Sequence, residues 1–338
     1  MSLFKKASVV KTILALCVIL ILGIQAINKV NKYYRYGKFD FLKISTNAPY
    51  IVSEGFENHV TATLTGRLGN QMFVYATAYA LGQKLHKPVA IAKRYCDRTY
   101  DLGIFNIPQE FNDIQKIWSV RSWVIPAEKK ASLWDQNWFY YDDSIWSIPA
   151  SQKNIVLKGH MQSPLYFEAY AEDLRNKVFV LNKDLSVIAQ GWKRKINAAK
   201  ISVSLHVRRG DYLNFTIFNG PDIHYYKRAV RLMMDLLGED IEFFIFSDDF
   251  DYIKENFSWI KKAHYVNSDS RYSYEDMFLM SECHHNIIAN SSYSWWGAYL
   301  NKHKKKKVIA PIHWFSREYQ LYKCPTIDLY PKDWILLK

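Results

Sequence analysis

Two adjacent arginines follow an apolar stretch of the chain and carry its clearest chemical signal. Residues 204–212 read Ser-Leu-His-Val-Arg-Arg-Gly-Asp-Tyr, at the end of a run that is apolar or small from Ile201 to Val207. A guanidinium group is always charged, and its planar fork fits two phosphate oxygens at once. Arg208 and Arg209 therefore predict a phosphate or pyrophosphate site, although a surface turn with two solvated arginines would explain them equally well.

Two other predicted strands also end in short polar runs. These runs contain Ser247, Asp248, Asp249, Asn290, Ser291 and Ser292. Parallel strands bring their carboxyl ends to one edge of a sheet, which is where ligands bind. An arginine fork opposite a helix N-terminus would hold a diphosphate, and a nearby carboxylate would hold a ribose or a base. The pattern favours a nucleoside-diphosphate site without an obligatory metal, while helix capping alone would explain residues 290–292.

The second half of the chain alternates strands and helices regularly. Apolar periodicity predicts strands over 201–207, 241–246, 286–289 and 307–310, and helices over 222–237, 274–283 and 293–302. Such alternation is typical of a doubly wound parallel sheet, so we predict an α/β fold. A lysine-rich run over 303–307 is expected to be a solvated helix end.

The first half opens with the same kind of unit. A strand over 59–64 leads through the glycine turn 66–71 into a helix over 72–85, and a strand follows over 89–92. The N–H groups at such a helix start can bind phosphate, but a single Gly-x-x-Gly turn is a weak signal. A further strand is predicted over 154–157 and two helical pieces over 166–197, whereas residues 100–150 show no clear period.

Composition narrows the classes of protein to consider. The 338 residues carry a net charge of +13, and 16% of them are aromatic, which suits sugar binding or core filling. No dense basic and aromatic repeat is present, so we do not expect nucleic acid as a partner. The four cysteines do not form a disulfide framework, and Cys283-His284-His285 lacks the second half of a metal site.

Residues 12–27 form an uncharged apolar run with basic residues on both sides. Its length is at the lower limit for a membrane span, which takes about 17–25 residues. We predict a cytoplasmic tail over 1–11, a transmembrane signal-anchor over 12–27 and a stem over 28–58, with a cleaved signal peptide as the alternative. In the secretory lumen, Asn214 and Asn256 would be glycosylation candidates, because each begins an Asn-x-Ser/Thr triplet.

Four motifs, in order along the chain, resemble those of the α-1,2-fucosyltransferases. They are Gly66-Arg67-Leu68-Gly69-Asn70-Gln71-Met72-Phe73, His206-Val207-Arg208-Arg209-Gly210-Asp211-Tyr212, Phe246-Ser247-Asp248-Asp249 and Asn290-Ser291-Ser292-Tyr293-Ser294-Trp295-Trp296-Gly297-Ala298. Residues 159–163 look like a looser form of a further motif. The resemblance implies a GT-B-like fold, with two Rossmann-like lobes and a cleft between them. Residues 59–195 would form the acceptor-side lobe and residues 196–338 the GDP-fucose-binding lobe.

The same resemblance implies the reaction, which is inverting transfer of fucose from GDP-fucose to the 2-hydroxyl of a terminal galactose, without a cofactor or obligatory metal. It also implies a single-pass type II Golgi membrane protein with its catalytic body in the lumen. The expected partners are GDP-fucose, a galactose-terminated glycan and the membrane. The alternatives are a different GDP-fucose-dependent linkage, a metal-dependent glycosyltransferase that uses Asp249 and Asp251, and a non-catalytic glycan- or nucleotide-binding protein.

The catalytic candidates lie in the arginine motif. Arg208 matches the family's arginine and would stabilise the charge on the leaving GDP, or would form a structural ion pair with Asp211. His206 would donate to the nucleotide or brace the strand, and Asp211 would be a general base or would orient Arg208. The donor-binding candidates are Arg209, Asp248, Asp249, Asn290, Ser291 and Ser292, with Gly66, Asn70 and Gln71 facing the cleft from the other lobe. Trp295 and Trp296 are expected in the core rather than as sugar platforms.

Overall fold

The computed structural model describes residues 44–45, 50–92, 99–116, 132–136, 141–218, 220–267, 274–316 and 326–338. The predicted tail and anchor, residues 1–27, lie outside these ranges, as does most of the predicted stem. Within the described ranges, no helix combines the length and the apolarity needed to cross a bilayer. Residues 44–338 belong to one compact unit.

The strands of the first half form a sheet of six and a separate pair. The strands are β1 (Ile44–Ser45), β2 (Tyr50–Ile51), β3 (Val60–Ala62), β4 (Val89–Ala92), β5 (Phe111–Asn112), β6 (Gln115–Lys116), β7 (Ser132–Gln136) and β8 (Ile155–Gly159). The sheet has the order β1-β7-β8-β3-β4-β5, and β2 pairs with β6. In the sheet only the β1–β7 pair is antiparallel. The chain leaves β3 toward β4 on one side and returns to β8 on the other, so the strand order reverses between β3 and β8.

Helix α1 (Leu68–Leu85) connects β3 to β4 and is buried on almost every side. Small residues such as Ala76, Ala78 and Ala80 let other elements pack closely around it. The helix ends at His86, whose left-handed backbone (φ 54°) turns the chain back toward β4.

The second half forms an all-parallel sheet of six strands. They are β9 (Ser202–Val207), β10 (Glu242–Ser247), β11 (Ala263–Tyr265), β12 (His285–Ile287), β13 (Val308–Pro311) and β14 (Ile335–Leu337), in the order β11-β10-β9-β12-β13-β14. Every residue of β9 is buried, as expected for the central strand of a parallel sheet. Counted within this sheet, the order is 3-2-1-4-5-6, which is the doubly wound arrangement with its switch point between β9 and β12.

Within the described ranges, five further α-helices cover the second half. They are α2 (Val187–Ala198), α3 (Ile223–Leu237), α4 (Phe250–Asn256), α5 (Tyr274–Glu282) and α6 (Ser292–Leu300). The Asp222 side chain caps α3 by accepting from the Tyr225 N–H at 2.8 Å, and Gly238 ends that helix. Helix α6 begins directly after β12, so its N-terminus lies at the switch point.

An aromatic cluster joins the two halves. The ring centroid of Phe73, on α1, lies 4.5 Å from that of Trp295 and 5.1 Å from that of Trp296, both on α6. Phe167 stacks on Trp296 at 5.4 Å. Trp295 and Trp296 are completely buried, which confirms their prediction as core residues. The starts of α1 and α6 are therefore held together by dry packing.

The predicted α/β class with parallel sheets is confirmed, and the predicted strands and helices of the second half are found within one or two residues of their expected bounds. Strands β11 and β14 and helix α4 were not predicted. The predicted stem contributes β1 and β2. The lysine-rich run is exposed at residues 303–305 and 307, as predicted, while Lys306 donates to the carbonyls of Ala298 (2.9 Å) and Asn301 (2.7 Å) and so caps α6.

Candidate functional site

The switch points of the two sheets are the places where polar residues converge. In the second sheet, β9 and β12 are neighbours, and the runs 208–211 and 290–292 follow them. In the first sheet, β3 and β8 are neighbours, and the runs 66–71 and 160–163 follow them. Ligands of doubly wound sheets bind in the crevice outside such strand ends.

Arg208 is the centre of an ion-pair network at the end of β9. One guanidinium nitrogen lies 2.5 Å from Asp211 Oδ1, and the other lies 2.6 Å from Asp248 Oδ2. The third, Nε, is buried and has no hydrogen-bond partner among the described residues. The guanidinium also lies 5.1 Å from the centroid of the Tyr212 ring. Arg208 is thus oriented by two carboxylates and keeps one donor unused.

Arg209 has different partners, although it is the next residue. Its Nε donates to Asp249 Oδ2 at 2.9 Å, and its guanidinium lies 3.5 Å from the centroid of the Tyr252 ring on α4. Asp249 also caps α4 by accepting from the Tyr252 N–H at 3.1 Å. The hydrogen bond from Arg209, and to a smaller extent the one from the Tyr252 N–H, holds the pKa of the Asp249 carboxyl below its usual range. This geometry gives Arg209 and Asp249 a bracing role between β9 and α4, and their predicted contact with the donor stays a prediction.

Gly210 allows this arrangement because a side chain there would collide with Asp248. Its φ of +22° is unusual for an L-residue, and a Cβ would lie 2.3 Å from Asp248 Oδ2. Both carboxylate oxygens of Asp248 already have partners, because Oδ2 pairs with Arg208 and Oδ1 accepts from the Arg209 N–H at 2.8 Å. The Arg-Arg-Gly-Asp order therefore has a steric reason.

His206 lies on β9, and its side chain is almost fully buried. Burial, reinforced by the positive charge of Arg208, lowers the pKa of His206 to about 3, so the ring is neutral at ordinary pH. Its Nδ1 has no hydrogen-bond partner among the described residues. The ring centroid lies 5.8 Å from that of Tyr293 on α6.

The run 290–292 packs closely against the arginine motif. The Tyr212 hydroxyl donates to the Asn290 carbonyl at 3.2 Å, and burial raises the pKa of Tyr212 to about 12. The Asn290 amide nitrogen donates to the Trp314 carbonyl at 2.9 Å, while its Oδ1 is buried without a partner in the described part of the chain. Ser291 is the N-cap residue of α6, yet its side chain makes no capping hydrogen bond. The second sheet thus offers a guanidinium and a helix start at one switch point.

Asn70 connects the switch points of the two sheets. Its Oδ1 accepts from Ser292 Oγ at 2.6 Å and from Gln162 Nε2 at 3.0 Å. Gln162 follows β8, and its Oε1 is buried without a partner among the described residues. Gly66 makes room for Asn70, because its φ is +66° and a Cβ there would lie 2.4 Å from Asn70 Nδ2.

Helices α1 and α6 make backbone contact where both begin. A Cβ at Gly69 would lie 2.6 Å from the carbonyl carbon of Ser292, and Trp296 Nε1 donates to the Gly69 carbonyl at 2.9 Å. Only a glycine at position 69 lets the two helix starts approach this closely. No role was predicted for Gly69, Gln162 and Tyr212, although Gly69 and Tyr212 lie in two of the four motifs and Gln162 lies in the looser motif 159–163; membership in these motifs is the signal that could have identified them.

Gln71 is the predicted site residue whose surroundings differ most from the expectation. Its amide nitrogen donates to the carbonyls of Gly66 (3.0 Å) and Thr99 (2.7 Å), and its Oε1 accepts from the Asp101 N–H at 2.9 Å. The side chain is buried and fully engaged with main chain. Gln71 therefore braces the glycine turn instead of facing a ligand.

The remaining predicted residues lie on the surface near α4 and β9. Asp251 is exposed, and no three His, Cys, Asp or Glu side chains within the described ranges are grouped to hold a metal ion. Asn214 is exposed in the turn after Asp211. Asn256 is the last residue of α4, and its amide donates to the Tyr252 carbonyl at 3.0 Å.

Comparison with known proteins assigns the family. The sequence model described as Glycosyl transferase family 11 matches residues 39–338. The chain belongs to this family. The O-antigen biosynthesis glycosyltransferase WbnK of Escherichia coli is 33% identical over 75% of this chain and 94% of that protein. The alpha-1,2-colitosyltransferase of Escherichia coli is 31% identical over 82% of this chain and 99% of that protein. The galactoside alpha-(1,2)-fucosyltransferase 2 of Bos taurus is 26% identical over 71% of this chain and 68% of that protein.

Membership in family 11 makes the protein a glycosyltransferase, and it confirms the resemblance on which the sequence motifs were assigned. The matched range contains both sheets and both switch points. The residues brought together at those points are therefore the ones to test for roles in sugar transfer.

Proposed function

We propose that this glycosyltransferase moves fucose from GDP-fucose to the 2-hydroxyl of a terminal galactose, with inversion at the fucose anomeric carbon. The proposal rests on the names of its bovine relatives and on the four motifs. In the proposed reaction, the bond between fucose C1 and the β-phosphate oxygen breaks. The galactose 2-oxygen forms the new bond to C1 and loses its proton.

The observation that carries the proposal is the position of Arg208 beside the start of α6 at the switch point between β9 and β12. A diphosphate held there would accept from the unused Arg208 Nε and face the positive end of the helix dipole. As GDP leaves, these fixed positive charges stabilise the growing negative charge on the β-phosphate. No metal is required for that stabilisation, so we propose a metal-independent transfer.

Asp211 has a defined part in this proposal. Its carboxylate lies 2.5 Å from Arg208, which makes it, with Asp248, one of the two partners that orient the guanidinium. Asn290 and Ser292 would line the phosphate side, while Asn70 and Gln162 would bound the site from the first sheet. The GT-B cleft, the two lobes over 59–195 and 196–338, the anchor and the Golgi location are parts of the same proposal.

A colitosyl donor is the second candidate. It is favoured by the 31% identity with the Escherichia coli alpha-1,2-colitosyltransferase, which is higher than the identity with the bovine fucosyltransferases. The two candidates share a 1,2-linkage and differ in the sugar moved.

The test is an assay of the full chain with GDP-fucose and a panel of β-galactosides, in the presence and absence of EDTA. Arg208→Ala is compared with Arg231→Ala, because Arg231 is an exposed arginine on α3 whose ion-pair partner among the described residues is Asp235 (3.2 Å). We expect transfer to the galactose 2-hydroxyl that survives EDTA, collapses in Arg208→Ala and persists in Arg231→Ala. Transfer only from a colitosyl donor would favour the second candidate, and strict loss with EDTA would restore the metal-dependent alternative.

A further inference from the structure

A short segment crosses the carboxyl edge of the second sheet beside Arg208. This strap, residues 210–218, leaves β9, and its Tyr212 hydroxyl donates to the Asn290 carbonyl after β12. Farther along, the Ile217 carbonyl accepts from the N–H of Ser316, which follows β13, at 2.8 Å. The strap therefore passes from β9 over β12 to β13, across the switch point.

One part of the strap is occupied by its own packing. The Tyr212 ring lies next to the Arg208 guanidinium and stacks on Phe218 with centroids 4.3 Å apart. Phe218 in turn lies 5.9 Å from Phe315. These contacts fix the strap to the sheet edge, so side chains that point away from it are held in defined positions.

Two large apolar side chains of the strap remain in solvent. Leu213 is 63% exposed and Phe215 is 53% exposed. The Phe215 ring is perpendicular to Phe218, with centroids 6.2 Å apart, so it is oriented but not covered. Leaving two such side chains unburied next to a charged site gives up the stabilisation that burial would supply, and such a patch is typical of a binding surface.

We propose that Leu213 and Phe215 form the platform that binds the acceptor saccharide. A sugar ring presents C–H groups on one face, which pack on a flat aromatic ring while the hydroxyl groups stay in water. The acceptor must reach the reacting carbon beside Arg208, and the strap begins two residues beyond that arginine. This inference rests on the proposed function, and it adds a surface of the lobe 196–338 to the acceptor contacts expected from the lobe 59–195.

The proposal has a consequence for the glycosylation candidates. Asn214 lies between Leu213 and Phe215, so a glycan attached there would cover the platform. The active protein must therefore carry an unmodified Asn214. Finding a glycan on most Asn214 side chains of the active enzyme, by mass spectrometry, would overturn the proposal.

The kinetic test compares variants of the full chain with the acceptor and GDP-fucose varied separately. We expect Phe215→Ala to raise the acceptor KM about tenfold, and Leu213→Ala to raise it by a smaller factor. Phe215→Trp, which keeps a flat ring, should restore the acceptor KM toward that of the unmodified chain. Leu236→Ala is the matched control, because Leu236 is a 45% exposed leucine at the end of α3, at the opposite edge of the sheet.

The outcomes separate this inference from the proposed function. An unmodified chain that does not turn over GDP-fucose with any galactoside would overturn the proposed function and the platform with it. Normal turnover with an unchanged acceptor KM in Phe215→Ala would overturn the platform alone. A rise in the KM for GDP-fucose larger than the rise for the acceptor would also overturn it, because the strap would then contact the donor.

Discussion

Arg208 and Arg209 are consecutive residues at the end of one strand, but they serve different regions of the molecule. Arg208 lies toward the switch point, with two carboxylates, the Tyr212 ring and an unused buried Nε. Arg209 lies against α4, where Asp249 and the Tyr252 ring occupy it. The two side chains therefore reach different neighbours although they follow the same strand, β9 (Ser202–Val207).

The difference teaches which feature marks a functional arginine in this fold. Both arginines are paired with carboxylates, so the presence of an ion pair does not distinguish them. The distinguishing feature is an unsatisfied donor in a buried position, because such a group lowers stability by about 1–3 kcal/mol unless a ligand meets it. At the same switch point, His206 Nδ1 and Asn290 Oδ1 are buried without partners among the described residues.

The largest effect should come from exchanging the two arginines for lysine, one at a time. Arg208→Lys keeps the charge but loses the fork, so we expect kcat to fall about 100- to 1,000-fold. Arg209→Lys should lower kcat only a few-fold, and it should lower the free energy of unfolding by about 1 kcal/mol through loss of the Tyr252 contact. Steady-state kinetics and urea unfolding measure the two quantities. Equal losses of kcat would show that the two arginines do not differ in function.

A second prediction concerns Gly210, whose substitution would disturb the surroundings of both arginines. In Gly210→Ala, the new Cβ meets Asp248, whose two oxygens serve Arg208 and the Arg209 main chain. We expect the free energy of unfolding to fall by about 1–3 kcal/mol, together with a loss of activity. Gly191→Ala, in α2, is the matched control, because the nearest atom to its Cβ is the Arg194 side chain at 3.9 Å. That control should be slightly more stable than the unmodified chain.

A third prediction separates the carboxylate partners. Asp211→Asn removes the charge that orients Arg208, and we expect kcat to fall about tenfold with little change in stability. Asp249→Asn keeps the cap of α4 but loses the ion pair with Arg209, so it should cost about 0.5–1 kcal/mol of stability and leave kcat nearly unchanged. The reverse pattern would place the site on the Arg209 side.

A fourth prediction concerns the pH dependence of stability. The folded-state pKa of His206 is lowered to about 3, so the unfolded chain binds a proton that the folded chain does not. Stability should therefore fall as the pH drops from about 6.5, with this residue contributing about 1.4 kcal/mol per pH unit until about pH 3. His206→Gln should remove that part of the slope in urea unfolding between pH 7 and pH 5. An identical slope in the variant would mean that His206 is accessible to protons in the folded state.

Much of the second sheet could be predicted from sequence, because strand and helix periods alternate clearly there. The convergence of Arg208 with residues 290–292 followed from the rule that parallel strands end at one edge. The partners of individual side chains could not be predicted. The cap that Asp249 makes for the short α4 and the main-chain groups that surround Gln71 gave no signal in the sequence. Such assignments depend on tertiary contacts that leave no periodic signal.

The most direct test measures the affinity of the full chain for GDP by isothermal titration calorimetry, for the unmodified protein, Arg208→Lys and Arg209→Lys. If the switch point between β9 and β12 holds the diphosphate through Arg208, GDP binding should weaken about tenfold or more in Arg208→Lys and change little in Arg209→Lys. Binding that is unchanged in Arg208→Lys, or weakened more in Arg209→Lys, would contradict the assignment of the site.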